Sequence, residues 1–421
     1  MNHENTIARE GAGNHMQGLS RVSPPHATTG AVSGDGCSSA RAVHLLTSSR
    51  LKCWQSCPRA HHYRYEVGLA PVDEPRGALA FGTAIHAGLE AWWLSHREGE
   101  IEGALHVAVD AATASLSAAH DQQPDAYELA RLVAMLCAYD VRWGRWAAGV
   151  EVLGVEVPFS CSLTSPVTGK SARTWRVAGK LDGLLRLADG RAAILEHKTR
   201  SGDASAGSDY RRALTLDAQV STYFLGAEAL GHAADLCIYD VLVKPSIKPL
   251  LATPEEARKY TEPKSRACRE CSRKNPSPAP HSDPETGISC VDGRIVTDPG
   301  GRLYAGQRDR DETPDEYRER LIAALGAEPD RYLVHAEIVR SDQEREAHAW
   351  ALWHAARSIE DARRAARETR DVRAVPQHAS ACLSHGSPCA YLPICEGTAS
   401  ARDETRFRRL PTVHPELSPQ T

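Results

Sequence analysis

Residues 173–200 read RTWRVAGKLDGLLRLADGRAAILEHKTR, and this stretch decides the fold. Two apolar runs, 173–187 and 191–198, flank Asp189-Gly190. Asp-Gly suits a tight turn, whose central residues need a positive φ. The stretch therefore predicts a β-hairpin. Alternate strand residues share a face. Ile194, Glu196 and Lys198 then point one way, and Ala193, Leu195 and His197 the other. Asp182 on the first strand can meet Glu196 across the pair. Two carboxylates and one lysine converge at the end of an apolar strand. Glu196 and Lys198 would sit about 7 Å apart along the strand. That set suits phosphodiester cleavage. Mg²⁺ prefers hard oxygen ligands, and a lysine beside it can hold the attacking water or stabilise the developing charge. Spacing alone, however, favours a surface ion pair between Glu196 and Lys198, which is common on a strand and worth little.

Outward from the hairpin, 150–159 (VEVLGVEVPF) predicts a preceding strand, and Thr168-Gly169 a turn. Helical spacing covers 76–98 and 125–147, and a short helix capped by Thr47 or Ser48 runs through Trp54. Residues 215–230 and 341–370 predict helices, and 235–243 and 331–339 strands. Nine prolines between Pro245 and Pro299 predict an irregular insertion over 245–325. Residues 1–42, rich in Gly, Ser, Thr and His, predict a disordered tail, and 397–421 a flexible C-terminal tail.

Composition limits the class. The 421 residues carry a net charge of −4, with 42% hydrophobic and 25% charged residues, so a fibrous or wholly disordered chain is excluded. No apolar run is long enough for a membrane span, and the first twenty residues lack a signal-peptide core. A cytoplasmic location with no membrane partner is the expectation. Twelve cysteines then need a reason, because grouped cysteines in a reducing compartment more often hold metal than form disulfides. Cys37, Cys137, Cys161 and Cys237 are scattered. Cys53 and Cys57 pair near the start, and Cys382, Cys389 and Cys395 group near the end. Three thiolates are one short of a cluster. In the insertion, Cys268-x2-Cys271 with Cys290 and His281 fits either a small Zn²⁺ site or an unstructured loop.

Asp182 followed by Glu196-His197-Lys198 resembles the D…ExK core of the PD-(D/E)XK nuclease superfamily. Four more segments resemble its RecB-like branch, in that branch's order. SRLKCWQSCPRAHHYRY contains Cys57-Pro58-Arg59 followed by aromatics, and FGTAIHAGLEAWW contains Gly82-x-x-x-His86. AQVSTYF contains Gln219-x-x-x-Tyr223. CLSHGSPCAYLPIC resembles the terminal cysteine group of the iron–sulfur members, among them the AddB nuclease domain and the CRISPR-adaptation exonucleases. The resemblance spans residues 47–396 and implies an α/β fold. A restriction-endonuclease-like core, a mixed sheet flanked by helices, would occupy 43–396 and carry the 245–325 insertion. An Fe–S-stapled helical subdomain would be built from both chain ends.

The resemblance also implies roles. His86, Asp182 and Glu196 would bind Mg²⁺ or Mn²⁺, with the His197 backbone carbonyl completing the set. Lys198 would position water. Gln219 and Tyr223, four apart on one helix face, would contact the scissile strand or steady Lys198. By spacing alone, the core-histidine reading of His86 is favoured, and Gln219 and Tyr223 read as a helix surface with one aromatic packed down. Cys57, Cys382, Cys389 and Cys395 would ligate a [4Fe–4S] cluster. Closing so long a loop is worth at most about 5–6 kcal/mol in the chain-entropy model. Cys53 rivals Cys57, and zinc rivals iron, because Cys₄ suits both. The x6 gap from Cys382 to Cys389 is wider than the branch usually has.

The expected function is a metal-dependent deoxyribonuclease, exonucleolytic by resemblance, acting on single-stranded DNA or duplex ends. It would serve phage recombination, DNA repair or CRISPR-type processing. With no GxxxxGK[ST] motif, a helicase, recombinase or integrase partner would be a separate chain. Arg211-Arg212, Lys264-Ser265-Arg266 and Arg402–Arg409 offer basic strips for nucleic acid, or ordinary solvated faces. The alternative is a non-catalytic nucleic-acid-binding Fe–S protein, which has no need of an intact Asp182, Glu196 and Lys198. A redox Fe–S protein is a third reading.

Overall fold

The computed structural model describes residues 43–72, 77–119, 123–269, 271, 281–282, 287, 289–383 and 388–417. The expected disordered tail, 1–42, lies outside the described residues.

The hairpin forms. Strands β4 (Ser171–Arg186) and β5 (Ala192–Arg200) pair antiparallel, from Arg186 opposite Ala192 to Gly183 opposite Leu195. Gly190 turns the chain at φ 90°, a conformation glycine adopts without steric cost. Strand β3 (Glu151–Thr164) runs antiparallel along one whole edge of β4. Strand β6 (Leu236–Val243) lies parallel to β5, and β11 (Leu333–Ile338) antiparallel to β6. Strand β1 (His44–Leu46) pairs in parallel with Trp175–Val177 of β4. The sheet is mixed, as expected. Every residue of β6 is buried, as is Ala192–His197 of β5. Strands covered on both faces carry continuous apolar runs, and each buried Leu or Ile contributes about 1.5–3 kcal/mol.

The register has one consequence for function. Because β3 fills one edge of β4, both β1 and β5 must share the other. Between their pairings, residues 178–182 of β4 have no strand partner on that edge among the described residues. The sheet is therefore split by a gap, and Asp182 stands at its rim.

The helices that border the gap are α1 (Ser48–Ser56), α2 (Gly77–Glu98) and α6 (Ala218–Ala229). Thr47 caps α1 by accepting from the Arg50 N–H at 3.2 Å, as its sequence position predicts. The helix expected over 215–230 is broken at Asp217. This residue caps α6 by accepting from the Gln219 N–H at 2.9 Å, and it also accepts from the Tyr239 hydroxyl at 2.7 Å. Helix α3 (Ala104–Ala118) follows α2, and α4 (Ala126–Ala147) closes the layer.

Two expectations fail. The insertion is not irregular throughout 245–325. Residues 314–327 form helix α7 (Pro314–Ala327), whose Tyr317, Leu321 and Leu325 are buried in the main core. The remainder holds a four-stranded sheet in the order β7 (Lys264–Ala267), β10 (Arg294–Asp298), β9 (Ser289–Val291), β8 (His281–Ser282). Paired legs carry it, with the Thr253 N–H on the Arg308 carbonyl and the Glu312 N–H on the Leu250 carbonyl, both 2.8 Å. Prolines mark its ends without preventing short strands between them. The flexible tail expected over 397–421 is also corrected, as far as residue 417. Strand β12 (Phe407–Arg409) pairs with β2 (Leu69–Pro71), Phe407 is buried, and Glu416 accepts from the Thr47 hydroxyl at 2.8 Å.

Candidate active site

The gap collects most of the side chains singled out in the sequence. The β4–β5 ladder stops at Gly183–Leu195. One step on, the Asp182 carboxylate replaces a backbone acceptor, taking the His197 N–H at 2.8 Å. A strand residue's N–H and C=O face the same edge, so the His197 carbonyl faces the gap too. Opposite stands His86 of α2, with Nδ1 3.7 Å from Asp182 Oδ2. That is too long for a hydrogen bond and short enough for both to reach one ion.

Glu196 is nearly sealed, at 1% exposure. Its Oε1 bonds to Lys198 Nζ and accepts from Gln219 Nε2 at 2.8 Å. Lys198 Nζ also donates to Gln219 Oε1 at 3.3 Å, and Gln219 Nε2 meets the Tyr223 hydroxyl at 2.6 Å. Helix α6 can approach this closely because Phe159 lies between two glycines. A Cβ at Gly179 or at Gly226 would stand 2.6 Å from its ring.

Electrostatics strain the site. Burial, then the neighbouring Asp182, pushes the Glu196 carboxyl up to about 7, and burial raises Asp182 as well. Burial and the His197 charge lower His86 to about 4, so its imidazole is neutral at pH 7 with a lone pair available. Lys198 is held above its ordinary value by Glu196 and Asp182, although burial works the other way, so it stays an ammonium. Glu196 Oε2 is buried without a hydrogen-bond partner among the described residues. Such an orphan is costly. A buried carboxylate with an unmet oxygen, and a half-buried one facing a neutral imidazole, fit a hard divalent cation.

The family model of the PD-(D/E)XK nuclease superfamily matches residues 45–396. The chain belongs to that superfamily. Nucleases of this superfamily typically use divalent metals, which agrees with the donor set around Glu196 Oε2. A solved structure described as "Crystal structure of SSO0001" is 15% identical, covering 46% of this chain and 71% of that one, at a TM-score of 0.18. That superposition is too poor to carry an argument. No curated protein matches. Among the described residues no helix is long and apolar enough to cross a membrane.

Other parts of this nuclease-superfamily site escaped the sequence. The His197 side chain turns to the opposite face, where Nδ1 bonds Asp240 Oδ2 at 2.8 Å. Asp240 is wholly buried, takes the Tyr139 hydroxyl at 2.7 Å, and lies 3.3 Å from His335 Nε2. Burial would raise its pKa, but the His335 charge and the His197 hydrogen bond outweigh this and hold it low. The network fixes the strand that carries Glu196 and Lys198. Glu156, at φ 52°, pairs with Lys180 beside Asp182, and both line the same cavity as His86. No spacing signal announces Glu156, because a left-handed glutamate inside a strand is invisible in the letters.

The cysteines fall into two groups. Cys57 is buried where α1 ends, and the Cys389 N–H donates to the Cys382 carbonyl at 2.8 Å. Burial raises the Cys389 and Cys395 thiols, and in each case Cys57 and Cys382 add a smaller push in the same direction. Cys53, pushed up to about 11 by burial and then Cys57, also stands beside Cys389. In the insertion, Cys268, Cys271, His281 and Cys290 bring their ligand atoms within 4.8 Å of one another, a group that could hold a metal ion.

Proposed function

We propose that this protein is a Mg²⁺- or Mn²⁺-dependent deoxyribonuclease that works from DNA ends. The observation that carries the reading is the orphaned, buried Glu196 Oε2, on a carboxylate whose other oxygen meets Lys198, beside the gap where His86 faces Asp182. Asp182, Glu196, His86 and the His197 carbonyl would hold the cation. When bound, it supplies charge for a phosphate oxygen and an acidified water. Lys198, kept protonated, donates to the attacking water or to the phosphate oxygens as charge develops. Gln219 fixes both partners of that pair, and Tyr223 fixes Gln219. Ser48, Ser49 and Lys180 line the same cavity as His86 and Asp182, where a nucleic-acid backbone would lie.

Cys57, Cys382, Cys389 and Cys395 would hold a [4Fe–4S] cluster, which would align the chain with the RecB-like branch. What supports this is their gathering from opposite ends of the sequence. Arg59 holds the same junction, donating to the Val375 carbonyl at 2.9 Å and to Gln377 Oε1 at 2.7 Å. The end preference, a role in phage recombination, repair or CRISPR-type processing, and a separate helicase, recombinase or integrase partner rest on that alignment. Anaerobic purification tests it, with iron and sulfide expected near four each per chain. A colourless, zinc-loaded protein contradicts iron. Metal-dependent degradation of linear but not circular DNA supports end-directed cutting, and equal degradation of both refutes it.

A further inference from the structure

We propose that Cys268, Cys271, His281 and Cys290 hold one structural Zn²⁺ ion that organises the tip of the insertion, independently of the nuclease reaction. The distances match a tetrahedral zinc site. Zn–S bonds near 2.3 Å and Zn–N bonds near 2.0–2.1 Å at tetrahedral angles put two thiolates about 3.8 Å apart and a thiolate and imidazole about 3.6 Å apart. Here Cys271 Sγ and Cys290 Sγ are 3.7 Å apart, and His281 Nε2 lies 3.4 Å from Cys268 Sγ and 3.5 Å from Cys271 Sγ. A disulfide is excluded for the 3.7 Å pair, because S–S bonds are about 2.05 Å.

The topology delivers each ligand from a different piece of backbone. Cys268 follows β7, Cys271 comes a turn later, His281 opens β8 and Cys290 sits in β9. The β9–β10 hairpin turns on Asp292-Gly293, at φ 48° and 75°, the signs a two-residue type I′ turn requires. The Gly293 carbonyl accepts from the Cys268 N–H at 2.8 Å, closing the loop around the ligands.

The apolar content cannot explain this order. The local core is Cys268, Cys290 and Ile295, with Cys271 packed against it, so two ligands are most of what is buried. Units this small need a metal or a disulfide to fold. Three thiolates and an imidazole select zinc over Mg²⁺ or Ca²⁺, which want oxygen. Four protein ligands leave no open position, which marks a structural site and not a catalytic one.

The test uses the full chain expressed with zinc. X-ray absorption at the zinc edge should give a first shell of three sulfurs and one nitrogen. A shell of sulfur alone, or no zinc, overturns the proposal. Cys290→Ser should lose one zinc per chain and become trypsin-sensitive between residues 258 and 304, with iron content and main-core circular dichroism unchanged. Unchanged zinc content overturns the proposal. Should that variant aggregate, His281→Cys decides: zinc is retained with the nitrogen replaced by sulfur if the assignment is right, and an unaltered shell refutes it.

Discussion

The gap in the sheet and the cap where the two chain ends join are built in opposite ways. Around the gap the scaffold exists without any ligand. Ile194 and Leu195, which lead into Glu196 on β5, are fully buried, and the Asp240 network fixes the strand from behind. At the cap, the buried cluster among the described residues is Tyr63, Leu69, Tyr391 and Phe407, with Cys389, Cys395, Ile394 and Val372 among the residues packed against it. Sequence-distant segments meet there through local links: the β2–β12 pairing, Arg59 on the Val375 carbonyl and the Tyr391 hydroxyl on the Leu69 carbonyl at 2.7 Å. A ligand is expected to act on chemistry in the first region and on stability in the second.

Substitution should separate the two. The largest effect is expected at the cap. Cys389→Ser should abolish iron binding and lower stability by up to about 5–6 kcal/mol, the loop-closure bound, measured by denaturant unfolding under anaerobic conditions. Retained iron with an unchanged midpoint would erase the contrast. In the gap, Lys198→Ala should reduce cleavage by about 10²–10³-fold while circular dichroism and the unfolding midpoint stay near wild type. A variant that unfolds instead would make the pair structural.

Smaller effects sharpen the account of the gap. Gln219→Ala should slow single-turnover cleavage by roughly tenfold, the order of one modest hydrogen bond, and Tyr223→Phe by less, because Tyr223 acts through Gln219. A larger loss from Tyr223 would reverse that order. The pH dependence is smaller still. Glu196 has a raised pKa of about 7, so between the unfolded carboxyl value and 7 the native chain binds a proton the unfolded chain does not. Metal-free stability from this group therefore falls as pH rises through that window. A cation must displace the same proton below pH 7, at about 1.4 kcal/mol per unit. The thermal stabilisation by Mg²⁺ should be greater at pH 8 than at pH 6, and Glu196→Gln should remove the difference. An equal shift at both pH values in wild type would contradict it.

The hairpin and the meeting of Asp182, Glu196 and Lys198 could be reached from the letters, because strand alternation and turn chemistry are local, whereas His86 and Gln219 joined that neighbourhood only through the family resemblance. What escaped is tertiary or too short to leave a period. Helix α3 was missed because its buried face is Ala104, Ala108, Ala112 and Leu116. That alanine stripe lets α2 pack close, with a Cβ at Gly88 only 3.0 Å from the Ala108 carbonyl, yet Ala114 and Ala118 lie exposed on the other face, so residue type does not mark which face is buried. Strands β2 and β12 have three residues each, below the length at which alternation shows. Asp240 sits in an apolar strand, and its partners Tyr139 and His197 come from distant segments. The insertion hid its sheet behind prolines.

One measurement reaches the central claim most directly. End-labelled linear DNA is incubated with anaerobically purified wild type and with Asp182→Ala, with and without Mn²⁺. The account predicts cleavage by wild type only when the cation is present, and none by the variant. Cleavage by Asp182→Ala at the wild-type rate, or no cutting by wild type with Mn²⁺ supplied, would contradict it.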